Sequence, residues 1–452
     1  MADVSDLRQE LTERYNLLIA SLLPYETGSG FFRCNLSPDN KYPEVGIKFH
    51  ISASILNASD TLERLSSYLQ EKNVLFKAPD SLESIIHLNT GHGLNYCQIG
   101  KVFTIYPQNS DQEQLRLMAE ELHNITCYDL KAPSIPYDKH FQPDSRVYYR
   151  YGTFYKDKTK SMNQILEERY ANEPIPEHLA DPISATGQKN NEDNILSDYP
   201  VFDVLNQRGK GGVYRAVCLD SGNLRSCIVK EGRKHGEIDW EGNDGYHYRK
   251  QEFHNIKVLK SLGIKVPGLV KFIDSQNACY IILEDVGTPI TEFVKIRNLP
   301  LQNRVDMLLD VLGQLIIIRN EGKQWLDCKS GNILVKDDLS VHLIDFESVV
   351  STHAPILFAY TSHQTGSKTT IKEIDKIDFL MVCYEVLTDN RITTKSYTGC
   401  IFDDISDQGF GELYLIWQDI IQEKPINYSL EDICSVLYET KKLTAFEDSG
   451  RQ

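Results

Sequence analysis

The chain has 452 residues, 41% of them apolar and 25% charged, enough for two or three globular domains with cores of their own. Its 48 Lys and Arg against 64 Asp and Glu give a net charge of −16, which argues against general nucleic-acid binding and suits a cationic peptide partner. The start, MADVSDLRQELTER, has no apolar signal core, no stretch approaches the roughly eighteen apolar residues of a membrane span, and the ten cysteines form no C-x-x-C pair. The expectation is a protein of the reducing cytoplasm, with buried thiols, no membrane association and no zinc site.

In chain order, Leu7, Leu11, Tyr15, Leu18 and Leu22 make one face of a helix over 5–23. VGIKFHISAS (45–54) alternates as a strand does, and a helix follows near 58–72. VLFKAP reads as a short strand or loop, SLESIIHLN as helical, and GKVFTIYP (100–107) as a strand. A helix over 110–126 takes Ser110 as its N-cap, and RVYYRYGTF (146–154) is a further strand. Residues 157–199 are rich in Pro, Asn and acids without periodicity and read as a connecting segment, placing a domain boundary near 195.

Beyond 200 the pattern changes. VLNQRGKGGVYRAVCL reads as strand, Gly-rich turn and strand, RSCIVKEGR as a third strand, and 248–263 as a helix ended by Gly263. LVKFIDSQNACYIILEDV is a hairpin, and 301–320, 374–388 and 409–423 are helical. Within WLDCKSGNILVKDDLSVHLIDFE (325–347), Asp327 precedes Asn332 by five positions, and two short apolar runs lead to Asp345-Phe346. Phosphoryl transfer needs such a set: one carboxylate to orient and deprotonate a hydroxyl, an amide and a second carboxylate to hold Mg²⁺ against nucleotide phosphates.

In this order the motifs resemble the protein-kinase-like superfamily over about 200–445. The resemblance implies a bilobal fold that uses ATP or GTP with Mg²⁺. Gly209, Gly211 and Gly212 would cover the phosphates, Lys230 would reach them, and Glu252 would pair with Lys230. Asp327 would be catalytic, Asn332 and Asp345 would be metal ligands, and Asp378 would brace the catalytic loop. Taken alone, the Gly-rich run reads equally as a hairpin turn. Glu231 and Glu241 compete with Glu252, and Asp378 reads also as a helix cap or surface residue. Trp325 stands where the family has His, Glu347 replaces the last Gly of D-F-G, and there is no A-P-E segment, so an ordinary regulated Ser/Thr kinase is not the expectation.

In the first half, Lys48-Phe49-His50, Lys77, Lys101 and Arg150 lie in or beside apolar strand-like runs, with Lys48 and His50 on one face of their strand. Several cations and a histidine around a hollow suit a phosphate dianion, and crowded cations favour a neutral amine base. Alone, K-x-H reads also as an amphipathic strand with its charges in solvent. The whole set resembles phosphothreonine lyases of the bacterial effector type. That resemblance implies an α+β domain with Lys77 as base and His50 as acid. Lys48 would polarise the substrate carbonyl, and Lys101, Arg150, Tyr106 and Tyr151 would hold phosphate.

Both motif sets, in this order, are similar to class III lanthipeptide synthetases over about 40–445. The resemblance implies an α+β lyase-like domain over 1–195 and a kinase-like domain over 196–452. Its activity would be phosphorylation of Ser/Thr in a ribosomal precursor peptide, bound through leader and core, followed by elimination to dehydroalanine or dehydrobutyrine. The family's third domain, a cyclase, is not matched within the chain: it is cut away, absent or a separate cyclase, and the expectation is dehydration without ring closure by this chain. Two other readings stand beside it: a kinase with a phosphopeptide-binding first domain, and a small-molecule kinase.

Overall fold

The computed structural model describes residues 4–23, 31–35, 45–108, 111–143, 145–154, 181, 195–220, 222–353, 371–390, 410–422 and 424–449. The chain divides into two compact units, Met1–Arg249 with Ile273–Tyr280, and Lys250–Phe272 with Ile281–Gln452. The mixed α+β class read from the sequence is observed. The boundary read near 195 falls inside the first unit. The connecting segment over 157–199 lies outside the described residues except for Asp181 and 195–199.

In the first unit come α1 (Val4–Leu22), β1 (Phe32–Cys34), β2 (Val45–Ile51), α2 (Ala58–Glu71), β3 (Leu75–Pro79), α3 (Leu82–Thr90), β4 (Phe103–Tyr106), α4 (Gln112–Thr126), β5 (Lys139–His140) and β6 (Val147–Thr153). Among the described residues the strands form one six-stranded sheet in the order β1-β3-β4-β2-β6-β5, and every pairing is antiparallel. Side chains alternate across such a sheet, so each strand offers one residue set to the core. Ile47, Phe49, Ile51, Phe76, Ile105 and Tyr149 make that set. They pack on Tyr15 and Ile19 of α1, Leu62, Leu65 and Leu69 of α2, and Leu115, Ala119 and Leu122 of α4. Burying each of the large side chains contributes about 2 kcal/mol.

Local signals fix the helix ends. The Ser81 hydroxyl accepts from the Ser84 N–H at 3.2 Å, and Gly91 ends α3 at φ +70°. At α4 the cap is Asp111, which accepts from the Gln114 N–H at 3.0 Å; the expected cap, Ser110, lies outside the described residues.

After α5 (Ile195–Asp198) come β7 (Val201–Arg208), β8 (Gly211–Asp220) and β9 (Asn223–Arg233), a meander with Gly211 opposite Arg208 and Lys230 opposite Val213. The chain crosses between the units within α6 (Gly245–Ser261), β10 (Leu269–Asp274) and β11 (Ala278–Glu284).

The second unit holds β12 (Thr288–Pro289), α7 (Ile290–Arg297), α8 (Leu301–Asn320), β13 (Lys323–Trp325), β14 (Ile333–Val335), β15 (Val341–Leu343), β16 (Val349–Ser351), α9 (Ile371–Thr388), α10 (Glu412–Ile421) and α11 (Leu430–Ser449). Val305, Leu308, Leu312 and Leu315 make the buried stripe of α8. Trp417 of α10 is buried and donates its indole N–H to the Leu380 carbonyl of α9 at 2.9 Å. No described helix is long and apolar enough to cross a membrane.

Candidate active sites

The register of the first sheet aligns its polar residues. Cys34, Lys77, Thr104, His50, Tyr148 and His140 stand opposite one another in a single row across the six strands. Residues paired in this way share a face, and the strand spacing puts the backbones of Lys77 and His50 about 10 Å apart. Two residues along the strands, Lys48 stands opposite Arg150 on that same face. Beyond them Gly152 keeps the surface low: a Cβ there would lie 3.5 Å from Lys48 Nζ and 3.6 Å from an Arg150 guanidinium nitrogen. The face is not an ordinary solvated one, since Lys48 is 1% and His50 5% exposed. The amphipathic-strand alternative, with charges in solvent, is thereby overturned.

Asp138 ties this face together. Its Oδ2 lies 2.6 Å from His50 Nδ1, its Oδ1 accepts from Lys101 Nζ at 2.7 Å, and its side chain is wholly shielded from solvent. Burial pushes the His50 imidazole down to about 3, with Lys101 and Lys48 adding to the shift and Asp138 opposing it. Burial alone would raise the Asp138 carboxyl, but His50 and Lys101 outweigh it and hold it at about 2. Lys101 is lowered, by burial first and by Arg150, against the pull of Asp138. At neutral pH the imidazole is therefore neutral and the carboxylate ionised. An ionised carboxylate only accepts, so Nδ1 carries the proton and Nε2 offers its lone pair to the face.

Lys77 is buried on β3, with Nζ 4.1 Å from the centre of the Phe32 ring. Tyr106 shares the polar face, packed with Cys34, Leu75 and Phe154. Tyr151 does not. It pairs with Ile47, points to the opposite face and packs against the core, so register separates it from the residues it was grouped with. Asp138, 88 residues from His50 in a loop without periodicity, had no signal in the sequence. Thr104 was hidden by its apolar surroundings, whereas the glycine of YRYG was visible.

In the second unit, the Asn332 amide donates to the Asp327 carboxylate at 2.7 Å and to the Asp327 carbonyl at 3.0 Å, while Lys329 Nζ donates to both carboxylate oxygens at 2.9 and 2.8 Å. Burial raises the Asp327 carboxyl and Asp345 adds to the rise, against Lys329 and Asn332. Asp345 has φ +67°, an unusual conformation for a residue with a side chain. Its carbonyl accepts from the Trp325 indole at 3.1 Å, and the next carbonyl, of Phe346, accepts from Asn255 at 2.9 Å. Trp325, standing where a histidine was expected, is thus a buried brace. Carboxylate oxygens of Glu252, Asp345 and Glu347 all lie within 4.8 Å of one another, so Glu347 joins a group that could hold a hard cation. Asp378 is fully buried in α9, and its charge, after burial, helps raise the neighbouring Cys328 thiol; the surface reading is overturned.

The glycines near 210 serve close packing. A Cβ on Gly209 would lie 1.7 Å from the Asn89 carbonyl oxygen, and one on Gly211 2.0 Å from that of Glu231. The Gly209 N–H donates to the Thr90 carbonyl at 3.2 Å, so that donor already has a partner. Tyr214 lies over Gly212, where a Cβ would meet its hydroxyl at 2.1 Å. Lys230 is buried on β9. Of the acids that competed with Glu252, Glu231 is held by Arg233 at 2.7 Å and by the Tyr214 hydroxyl at 2.9 Å, and Glu241 accepts from Asn243 at 3.3 Å.

The first unit therefore contains an α+β fold whose sheet buries cations and a histidine on the face turned away from the core. Residues 25–174 match a family model described as the N-terminal domain of RamC. Over 340 residues, 69% of this chain, the sequence is 24% identical to a protein of Streptomyces coelicolor described as "Probable SapB synthase". The alignment covers 36% of that relative, so the chain spans about a third of the length of the curated relative it matches.

Proposed function

We propose that this chain takes part in lanthipeptide maturation as a two-step dehydratase, phosphorylating Ser or Thr of a ribosomal precursor peptide and then eliminating the phosphate. The observation that carries the reading is the row that sets Lys77 and His50 on one buried face beside Lys48 and Arg150. The match to the RamC N-terminal domain over the same residues supports it.

In the elimination, the Lys77 amine takes the α-proton, the C–H electrons form the Cα–Cβ double bond, and the Cβ–O bond breaks. Lys48 stabilises the enolate that develops on the substrate carbonyl. Lys101 and Arg150 hold the departing phosphate. His50 is neutral among the cations of this face, so it must gain a proton before it can protonate the leaving oxygen. A bound phosphate dianion favours that gain by reversing the local field of cations.

In the phosphorylation, Asp327 accepts the proton of the attacking hydroxyl. Asp345 and the side-chain oxygen of Asn332 are the donors that Mg²⁺ would take, with Glu347 and Glu252 beside Asp345, and hard oxygen donors fit that ion. Mg²⁺ with ATP or GTP would supply the phosphoryl group and neutralise its charge. Lys230 is assigned to the nucleotide on the kinase-like resemblance, together with the N–H groups of Gly211 and Gly212; that of Gly209 is taken by the Thr90 carbonyl.

The test is mass spectrometry of precursor peptides incubated with the protein, nucleotide and Mg²⁺. Loss of one water per modified residue is expected. Phosphopeptide that persists without elimination would replace this reading with that of a kinase carrying a phosphopeptide-binding domain.

A further inference from the structure

We propose that the elimination site is braced from the β7–β9 sheet, with Arg233 as a positioning residue that acts through Tyr96 and Tyr137 to hold Asp138 against His50 and Lys101. The proposal rests on the reading of this sheet face as an elimination site and adds residues outside it.

Arg233 ends β9, three residues beyond Lys230. Its guanidinium is held by several partners. Nε and Nη2 donate to the two oxygens of Glu231 at 2.9 and 2.7 Å, Nη1 donates to the Arg208 carbonyl at 3.3 Å, and Nη2 reaches the Tyr214 hydroxyl at 3.4 Å. The plane so fixed lies 5.4 Å from the centre of the Tyr96 ring. Tyr96 meets Tyr137 edge to face, with ring centres 5.8 Å apart.

Tyr137 is the decisive link. Its φ is +63°, uncommon for a residue with a side chain, and although its ring is 60% exposed its backbone fixes where the chain turns. That turn sends the next residue, Asp138, into the interior, where it bridges His50 and Lys101. A second tie runs in parallel. The Gly209 N–H bonds the Thr90 carbonyl, and the adjacent Asn89 amide bonds the Ala53 carbonyl at 2.9 Å, two residues past the strand that carries Lys48 and His50. The strand bearing Lys230 and the strand bearing His50 are thus joined by contacts that begin at β9 and at the turn before β8.

The test uses the full chain and the proton on His50 Nδ1, followed by NMR and assigned through its absence in His50→Gln. In the wild type this proton is expected downfield and slow to exchange, as befits a shielded bond to a carboxylate. Tyr96→Leu and Arg233→Gln should lose it to exchange with water, with affinity for inorganic phosphate weakened about tenfold as the Lys101 contact slackens. Should either variant fail to fold, Tyr137→Asn, which tolerates the turn but lacks the ring, gives the same reading, with signal loss expected. A signal unchanged in folded Arg233→Gln, Tyr96→Leu or Tyr137→Asn overturns the proposal. The functional reading fails separately, if the wild type neither binds phosphate nor eliminates it from a phosphoserine peptide while the signal still responds to these variants.

Discussion

His50 Nδ1 and Asp138 Oδ2 lie 2.6 Å apart with both side chains closed to solvent, and this contact fixes which ring nitrogen of the buried imidazole carries the proton. Because burial holds His50 near 3, well below its ordinary 6.5, the unfolded chain binds the extra proton across that interval. Stability contributed by the neutral imidazole is present above about pH 6.5 and is lost as pH falls toward 3. Asp138, held near 2 against an ordinary 3.8, works in the same direction between those values. Thermal unfolding followed from pH 7 to 4 is expected to show a falling midpoint, and His50→Gln should flatten that fall.

Removing the carboxylate should impair chemistry more than folding. Asp138→Asn keeps the shape but loses the negative charge and one of the two oxygens that accept from His50 and Lys101. Elimination from a phosphoserine peptide is expected to slow by about 100-fold, in the range general acid–base groups contribute.

The two proposed half-reactions should separate by mutation. Lys77→Ala is expected to stop at the phosphorylated peptide, and Asp345→Asn to leave the peptide mass unchanged. Complete dehydration by Lys77→Ala would remove the assigned base.

Sheet register distinguishes two residues that are adjacent in sequence. Arg150→Ala should abolish the thermal stabilisation that added inorganic phosphate gives, because Arg150 stands opposite Lys48 on the polar face. Tyr151→Phe should leave phosphate affinity within about twofold, since its ring belongs to the core face.

Two glycines should respond with opposite signs. Gly209→Ala would drive a methyl into the Asn89 carbonyl and is expected to destabilise by about 2 kcal/mol or more. Gly313 lies inside α8, where an added methyl would meet nothing within 4 Å, so Gly313→Ala should stabilise by about 0.5–1 kcal/mol. Denaturant midpoints of the two variants check both.

Alternation and spacing already contained much of this molecule. The period-two run around Lys48 and His50, the apolar stripe of the helix at 301–320 and the two short strands after Asn332 are local patterns, and local patterns follow from backbone geometry alone. The residue types around Asp327 and Lys48 likewise pointed by themselves to a chemistry of phosphate. Two things needed the folded chain: a distant loop delivered Asp138 to His50, and close packing by Asn89 and Glu231 came to surround the glycines at 209 and 211. Each depends on a partner far along the chain. Sequence alone therefore determined which groups were present and which way each local element faced. Tertiary structure decided which of them meet and in what charge state, because burial and long-range pairing exist only once the segments have come together.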